Sequence, residues 1–448
     1  MKSKNIIIVI AILASFVAFL DGSVVGVALP QISEQLGGGL STQQWVNDAY
    51  LITLGALILA AGSLSDIFGR KKIIIIGLIG FLAASLLCAV APTAEFLIVS
   101  RALQGIAGAL LVPSSLALII SSFSGKAQAK AIGTWTAWTG IAFIAGPLIG
   151  GLLVDYLSWR YIFVINVIPI AIALVLLKRL ELVDTVDKNI RLDTTGIVLG
   201  AVGLGGVVYA LIEQAQLGLT HPLIWGTFGI GVISLVWFVL HERRVEHPML
   251  PLELFKVRNF SAGNVATFLV YAALSLQGFI LVIFLQQVAG YSATLAGLTS
   301  LPVTFIMFFL SSRFGALSGK YGPRLFMTVG PIISGLGMLL MLGVQVPVNY
   351  WTELLPAILL LGLGLAITVA PLTSAILGSI KPAQAGIGSA VNNAVSRIAG
   401  LLAIALIGIV AGSTLDINGF KSGVILCAVL LIAGGIVSYA GIRNIKEQ

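Results

Sequence analysis

Two side chains of opposite charge stand inside long apolar runs: Asp21 in "ASFVAFLDGSVVGVALP" (14–30) and Arg101 in "LIVSRALQGIAGALLVPS" (97–114). A carboxylate that can lose and regain a proton beside a permanent cation is chemistry for moving protons, because protonation removes the charge that the arginine holds. If these runs cross a bilayer, each isolated charge near the centre costs about 2.5–3.5 kcal/mol on insertion scales, and such residues are functional by default. Two plainer readings stand beside this one. Asp21 could be held structurally through hydrogen bonds to Ser23 or Gln104, and Arg101 could extend its guanidinium to the headgroups.

Which reading applies depends on the elements that carry these residues. Of 448 residues, 58% are hydrophobic and only 9% charged, and the mean hydropathy is +1.08. A soluble domain carries about a quarter charged residues. Apolar runs of about twenty residues recur from end to end, each long enough to cross a hydrocarbon core of ~30 Å as a helix. The chain therefore reads as an all-α polytopic membrane protein. Breaks at glycine, proline and charge clusters divide it into fourteen expected spans: 5–29, 43–64, 72–91, 95–122, 128–153, 159–179, 193–213, 222–241, 260–288, 294–316, 323–343, 351–378, 384–411 and 421–442. The first is read as a retained span, since its apolar run reaches Leu29 without a small-residue cleavage pattern. Cys88 and Cys427 lie inside apolar runs and imply neither a disulfide framework nor a metal site.

Charge orients the spans. With the N-terminus cytoplasmic, the inner loops and tails hold twenty basic residues, among them Lys188, Arg191 and Lys446, against Arg160 and Lys421 outside. That is a strong positive-inside signal, and it predicts both termini on the cytoplasmic side of the cell membrane. The net charge of +8 then follows from topology and calls for no nucleic-acid partner. Asp21 falls about eight residues before the outer end of span 1, roughly 12 Å down, and Arg101 about six residues into span 4, roughly 9 Å down. Similar depth and opposite sign make them candidate partners. Asp48, near the expected start of span 2, reads as a solvated helix-start carboxylate. Arg397, in mid-span, has no evident acidic partner in its own span.

A repeat links the two ends of the chain. "SLSDIFGRKK" (63–72) follows span 2 and "ALSGKYGPRL" (316–325) follows span 10. Leu64, Ser65 and Gly69 align with Leu317, Ser318 and Gly322, and an aromatic precedes each glycine. "GALLVPSSLA" in span 4 and "LAITVAPLTSA" in span 12 each carry a proline at similar depth. Two related halves of six spans would place such matches in corresponding positions, the usual construction of secondary transporters.

These stretches, with "LDGSVVGVALPQI" (20–32), "GIAFIAGPLIGGLL" (140–153), "HPMLPLELFKVRNF" (247–260) and "NNAVSRIAG" (392–400), resemble the major facilitator superfamily. More closely, the chain resembles its fourteen-span drug:proton antiporters of the EmrB/QacA type. The resemblance implies the major facilitator fold, with a six-helix bundle over 1–180, two extra helices and linkers over 181–259, and a second six-helix bundle over 260–448. It implies that spans 1 and 4 line one cavity, which makes Asp21 the expected proton carrier and Arg101 its charge partner. In the loop motif, Gly62 and Gly69 are expected to permit a tight connection and close helix approach. Asp66 is expected to meet the start of a helix near Pro382, and Arg70, Lys71 and Lys72 to anchor the loop at anionic headgroups. In span 5, Gly140, Gly146, Gly150 and Gly151 around Pro147 would form a smooth packing face. The resemblance adds a role in sealing the outer path and letting the halves rock.

By depth and type, the candidates for substrate contact are Tyr50, Gln104, Trp135, Trp138, Tyr271, Gln277, Asn392 and Asn393, each of which could equally be packing or helix–helix glue. The expected substrates are lipophilic drugs, neutral or cationic, exported against protons, with an exporter or uniporter of an amphipathic metabolite or lipid on the same fold as the alternative. No nucleotide-binding G-x-x-x-x-G-K-[ST] occurs, and "HERRVEH" has the wrong spacing for a zinc helix and reads as a solvated loop, so neither a pump nor an enzyme is expected. The expectation is a monomer in contact with membrane lipids, without metal or cofactor, driven by the proton gradient.

Overall fold

In hydrocarbon every backbone N–H and C=O must be paired, which leaves helices or closed barrels, and continuous apolar runs of about twenty residues suit helices. In a computed structural model, which describes residues 2–180, 192–246, 248–381, 384–412 and 414–444, the regular elements are helices, and fourteen of the resulting helical segments are long and apolar enough to cross a membrane. Lys188, Arg191, His247, Pro382 and Lys446 lie outside the described residues.

The chain divides into two compact units. Unit 1 comprises residues 1–213, 219–249 and 292–294. Its helices are α1 (Lys2–Leu36), α2 (Gly39–Phe68), α3 (Arg70–Ala89), α4 (Ala94–Ser122), α5 (Gly125–Tyr156), α6 (Tyr161–Val164), α7 (Val167–Lys178), α8 (Thr194–Leu217) and α9 (Pro222–Glu242). The α1–α2 turn is made by Gly37, Gly38 and Gly39, whose φ of +85°, +84° and +57° lie where a side chain would be strained. Both α2 and α3 pack on α4, while α1 packs on α5 and α4.

Unit 2 comprises residues 214–218, 250–291 and 295–448. It is built from α10 (Arg258–Gln287), α11 (Ala293–Leu298, whose first two residues group with unit 1), α12 (Leu301–Tyr321), α13 (Pro323–Leu340), α14 (Leu355–Leu377), α15 (Ala385–Ala411) and α16 (Ile417–Gly441). Here α12 and α13 pack on α14, and α10 on α15 and α16. The pairing repeats that of unit 1 with α10, α12, α13, α14 and α15 in the places of α1 to α5. The turns agree in detail as well. Gly69 ends α2 at φ 93°, ψ 136°, and Gly322 ends α12 at φ 87°, ψ 150°. Pro113 and Pro371 both lie inside their helices, α4 and α14.

The two extra helices, α8 and α9, group with unit 1. Glu213 of α8 accepts hydrogen bonds from the Trp45 indole at 2.6 Å and from Ser41 at 3.4 Å, both on α2. Most of α9 stays exposed, with only Ile224, Gly231 and Glu242 buried. The expected solvated loop at "HERRVEH" holds for Arg243, Arg244 and Glu246, which are exposed, whereas His241 closes on Asp193 at 2.8 Å and Glu242 beside it is buried. Asp193 also caps α8 by accepting from Gly196 N–H, so this acid ties the start of one extra helix to the end of the other.

Candidate functional site

Asp21 lies on α1 and Arg101 on α4, and packing of these helices removes both side chains from solvent, to 1% exposure each. Arg101 Nη1 donates to Asp21 Oδ2 at 2.6 Å and to Gln104 Oε1 at 2.6 Å. Its Nε donates to the Val46 carbonyl of α2 at 3.0 Å. The guanidinium is centred 4.4 Å from the Tyr50 ring and 5.8 Å from Phe163. Arg101 therefore does not extend to the headgroups. A planar cation lying against an aromatic and pairing with a carboxylate is what arginine, rather than lysine, supplies.

The other carboxylate oxygen is held as closely. Asp21 Oδ1 accepts from Gln104 Nε2 at 2.8 Å and from Asn166 Nδ2 at 3.2 Å. Ser85 on α3 accepts from both amides, at 3.0 and 3.4 Å. In each of its own contacts Asp21 is the acceptor, the arrangement of a carboxylate. A proton added to either oxygen takes an acceptor from one of the donors. Side chains from α1, α3 and α4, the residue joining α6 to α7 and a carbonyl of α2 thus converge on one charge pair.

Several expected substrate contacts are placed elsewhere. Tyr50 and Gln104, 3% and 0% exposed, belong to the Asp21–Arg101 cluster. Trp135 is half-buried, and its indole donates to Ser15 at 3.0 Å, whose hydroxyl meets Ser115 at 2.5 Å, so it joins α5 to α1 and α4. Trp138 is exposed. In unit 2, Asn392 donates to Thr267 at 2.8 Å and Asn264 at 3.2 Å, joining α15 to α10. Asn393 is exposed and donates to its own helix at Ser389, and Tyr271 and Gln277 are half-buried on α10.

Asp48 differs from its expectation. It is fully buried, with Oδ1 accepting from Asn47 at 3.0 Å and Oδ2 left without a hydrogen-bond partner among the described residues. The reason is the start of α2 at Gly39, four residues earlier than the apolar pattern indicates, which carries Asp48 more than two turns into the helix.

In the loop motif, Asp66 pairs with Arg70 one turn on, at 3.2 Å. The helix start near Pro382, its expected partner, lies outside the described residues. The Lys71 ammonium donates to the Leu180 carbonyl at 2.6 Å. Lys72 lies over the Phe68 ring at 5.7 Å. Glycine spacing in α5 is only partly a packing face. A Cβ on Gly146 would collide with Ser23 and one on Gly150 would press on Val24 of α1, while one on Gly151 would strike the backbone of Thr294. Pro147 lies between them inside α5, half-buried. Gly140, like Gly62 in α2, has open space around the same position, so close approach does not explain either.

Sequence reasoning missed Ser85 and Asn166. Asn166 stands where the expected sixth span breaks between α6 and α7, and that interruption within an apolar run was its only signal.

A family profile described as Major Facilitator Superfamily matches residues 11–404. The chain is 35% identical to a methylenomycin A resistance protein of Bacillus subtilis, over 91% of this chain and 87% of that one. It is 36% identical to a puromycin resistance protein of Streptomyces alboniger, over 90% and 81%. A multidrug transporter of Bacillus subtilis is 32% identical, over 91% and 75%. Among solved structures, a peptide transporter in complex with sulfate superposes with a TM-score of 0.71 at 16% identity, covering 98% of this chain and 94% of that one. A xylose transporter from E. coli gives 0.68 at 13%, covering all of both chains. At these identities the structures speak for the fold alone.

Proposed function

Because the chain belongs to the Major Facilitator Superfamily, we propose that it is an integral membrane exporter of drugs or related lipophilic compounds, neutral or cationic, exchanged for protons by alternating access. Relatives at 35% and 36% identity over most of their length are resistance proteins for two different antibiotics, which supports export of a toxic small molecule. The proton carrier is Asp21 and its charge partner is Arg101. The observation that carries this assignment is a carboxylate–guanidinium pair at 2.6 Å with both side chains fully buried in membrane-spanning helices.

The coupling follows from what a proton does there. With Asp21 ionised, Arg101 is neutralised and α1 is tied to α4. Protonation removes the counter-charge of a buried cation, so the pair must rearrange. The cluster joins five segments, and one proton therefore alters restraints on all of them. Protonation on one side of the membrane and release on the other, in competition with substrate, is antiport. The protein works in the cell membrane as a monomer, with both termini cytoplasmic, the gradient as its energy source and no cofactor. Asp66 with Arg70 and the α5 glycines around Pro147 serve the change of access.

Reconstituted vesicles test this directly. Under an imposed pH gradient, wild type moves a fluorescent lipophilic cation, and Asp21→Asn still binds the dye but no longer responds to the gradient. Equal responses from both proteins would make the buried carboxylate structural. Absence of movement under any gradient would sink the drug reading and turn attention to an amphipathic metabolite or lipid.

A further inference from the structure

Asn166 brings an amide to Asp21 and uses only half of it. The side chain is fully buried, and its Nδ2 donates to Asp21 Oδ1 at 3.2 Å and to the Ser85 hydroxyl at 3.4 Å. Its Oδ1 is buried as well and has no hydrogen-bond partner among the described residues. Asn166 directly precedes α7, a place where an asparagine oxygen often accepts from the backbone N–H groups of the first turn. Here the backbone is already helical, at φ −65° and ψ −22°, and the oxygen makes no such bond. The amide is turned into the charge cluster instead. An acceptor left unsatisfied in a buried site is destabilising and calls for a reason.

The other protonation state of Asp21 supplies one. The groups that meet the carboxylate, from Arg101, Gln104 and Asn166, are all donors. A protonated Asp21 has an O–H of its own, and that hydrogen needs an acceptor. Most oxygens of the cluster are engaged. Gln104 Oε1 accepts from Arg101 at 2.6 Å and from the Cys88 thiol at 3.7 Å. The Val46 carbonyl accepts from Arg101, and Ser85 accepts from both amides. Asn166 Oδ1 is the idle one, and half a rotation of the amide exchanges it with Nδ2. That last torsion of asparagine is broad and roughly two-fold. The Ser85 hydroxyl can follow, since it donates or accepts as it turns. Among the described residues Arg101 is the one charge in contact with Asp21. Of the other ionisable groups, Cys88 comes from α3, and Tyr50 of α2 lies against the guanidinium with Asp48 two residues before it. Those of α5, α6 and α7 lie toward the helix ends.

We propose that Asn166 is a two-way partner of Asp21: it donates to the carboxylate through Nδ2, and it turns to accept from the protonated acid through Oδ1. This rests on the reading of Asp21 as the proton carrier and adds the residue that registers the load. The proton stays on Asp21 throughout; only the direction of the hydrogen bond to Asn166 reverses. One end of the amide is idle in each state, the oxygen in one and the N–H in the other, so the amide itself favours neither strongly. Because Asn166 stands at the break between α6 and α7, protonation is felt there as a change of bonding in the sixth span.

The test is infrared difference spectroscopy, acid minus alkaline, on the purified full-length protein with heavy carbon in the side-chain carbonyl of its asparagines. On acidification wild type is expected to gain a carboxylic acid band that Asp21→Asn lacks. Together with it, one labelled asparagine carbonyl is expected to shift to lower frequency as it begins to accept a hydrogen bond. Asn166→Leu and Asp21→Asn are both expected to lose that shift. Asn166→Ser, which also removes the labelled carbonyl but keeps a hydroxyl able to donate or accept, makes the assignment if Asn166→Leu does not fold. An Asp21 acid band with no shifted asparagine carbonyl overturns the proposal and leaves Asp21 as the carrier. A shift that persists in the Asn166 variants overturns it equally, because it belongs to another asparagine. No Asp21 acid band at any pH rejects the carrier reading and this proposal with it. Gradient-driven movement of a lipophilic cation is followed in the same preparations. A wild type that shows both spectral changes yet moves no dye bears out the two-way partner and rejects the drug exporter.

Discussion

Arg101 and Asp48 are both buried ionisable residues of unit 1, yet their surroundings give opposite expectations for removing their charge. Arg101 satisfies Asp21, and Arg101→Ala would leave an ionised carboxylate with only amide donors in a site closed to water. Breaking such a pair costs about 3–5 kcal/mol, so this variant is expected to unfold at markedly lower temperature in detergent and to lose pH-driven transport. Asp48 has one oxygen with no hydrogen-bond partner among the described residues. Asp48→Asn replaces a group that is costly to bury when charged with a neutral one, and is expected to leave the unfolding temperature unchanged or to raise it, by an amount corresponding to about 1–3 kcal/mol at most. A comparable fall for both variants would show that Asp48 is held as firmly as Asp21. The pairing of Asp21 with Arg101 was legible because opposite charges in apolar runs admit few partners and residue counting gives depth. Gln104 was weighed as a hydrogen-bond partner of Asp21 and also as a substrate contact, since an amide in a span serves either purpose. Its place beside Arg101 follows from their three-residue spacing on α4, whereas its place beside Asp21 is decided by the crossing of α1 and α4, which no local pattern contains.

The helices were legible at the scale of elements because continuous apolar runs of about twenty residues fit a spanning helix and not a barrel strand, but their ends and interruptions were not. Apolar content marks where lipid is, whereas α1 continues past Leu29 through Gln31 to Gln35, a polar stretch outside that pattern. The break between α6 and α7 is likewise invisible to hydropathy, because Asn166 is one amide among apolar neighbours. Glycine spacing predicted close packing more often than it occurs. A Cβ on Gly105 would collide with Thr53 and the Tyr50 carbonyl, backbone that cannot yield, at the α2–α4 contact that carries Tyr50 against Arg101. Gly105→Ala is therefore expected to cost about 1–3 kcal/mol by overpacking and to impair transport. Gly62→Ala, in open space, is expected to stay within about 0.5 kcal/mol of wild type. Thermal unfolding of both proteins together with dye transport checks the contrast; equal damage would show that Gly62 meets a neighbour in another state of the transport cycle.

Across the whole molecule, the repeat between units 1 and 2 is written in a handful of aligned residues and emerges in the structure as the same helix pairings and the same left-handed glycine turn at Gly69 and Gly322. The charge asymmetry of twenty inner against two outer basic residues is the basis of the proposed cytoplasmic C-terminus. A fluorescent protein fused there is expected to be bright and a periplasmic phosphatase fused there inactive; the reverse pattern would invert the whole topology. The partners of Asp21 also set the order of events during synthesis. Arg101 follows Asp21 by 80 residues and Asn166 by 145, and a chain is made from its N-terminus. The first helix is complete, and able to enter the membrane, before the cation that neutralises its carboxylate has been translated. Until then the charge is offset by the aliphatic residues of α1 alone, at about 2.5–3.5 kcal/mol on insertion scales. The long apolar stretch before Asp21, from Ile6 to Leu20, is thus also what lets the nascent chain hold a lone acid in the bilayer until its partner arrives.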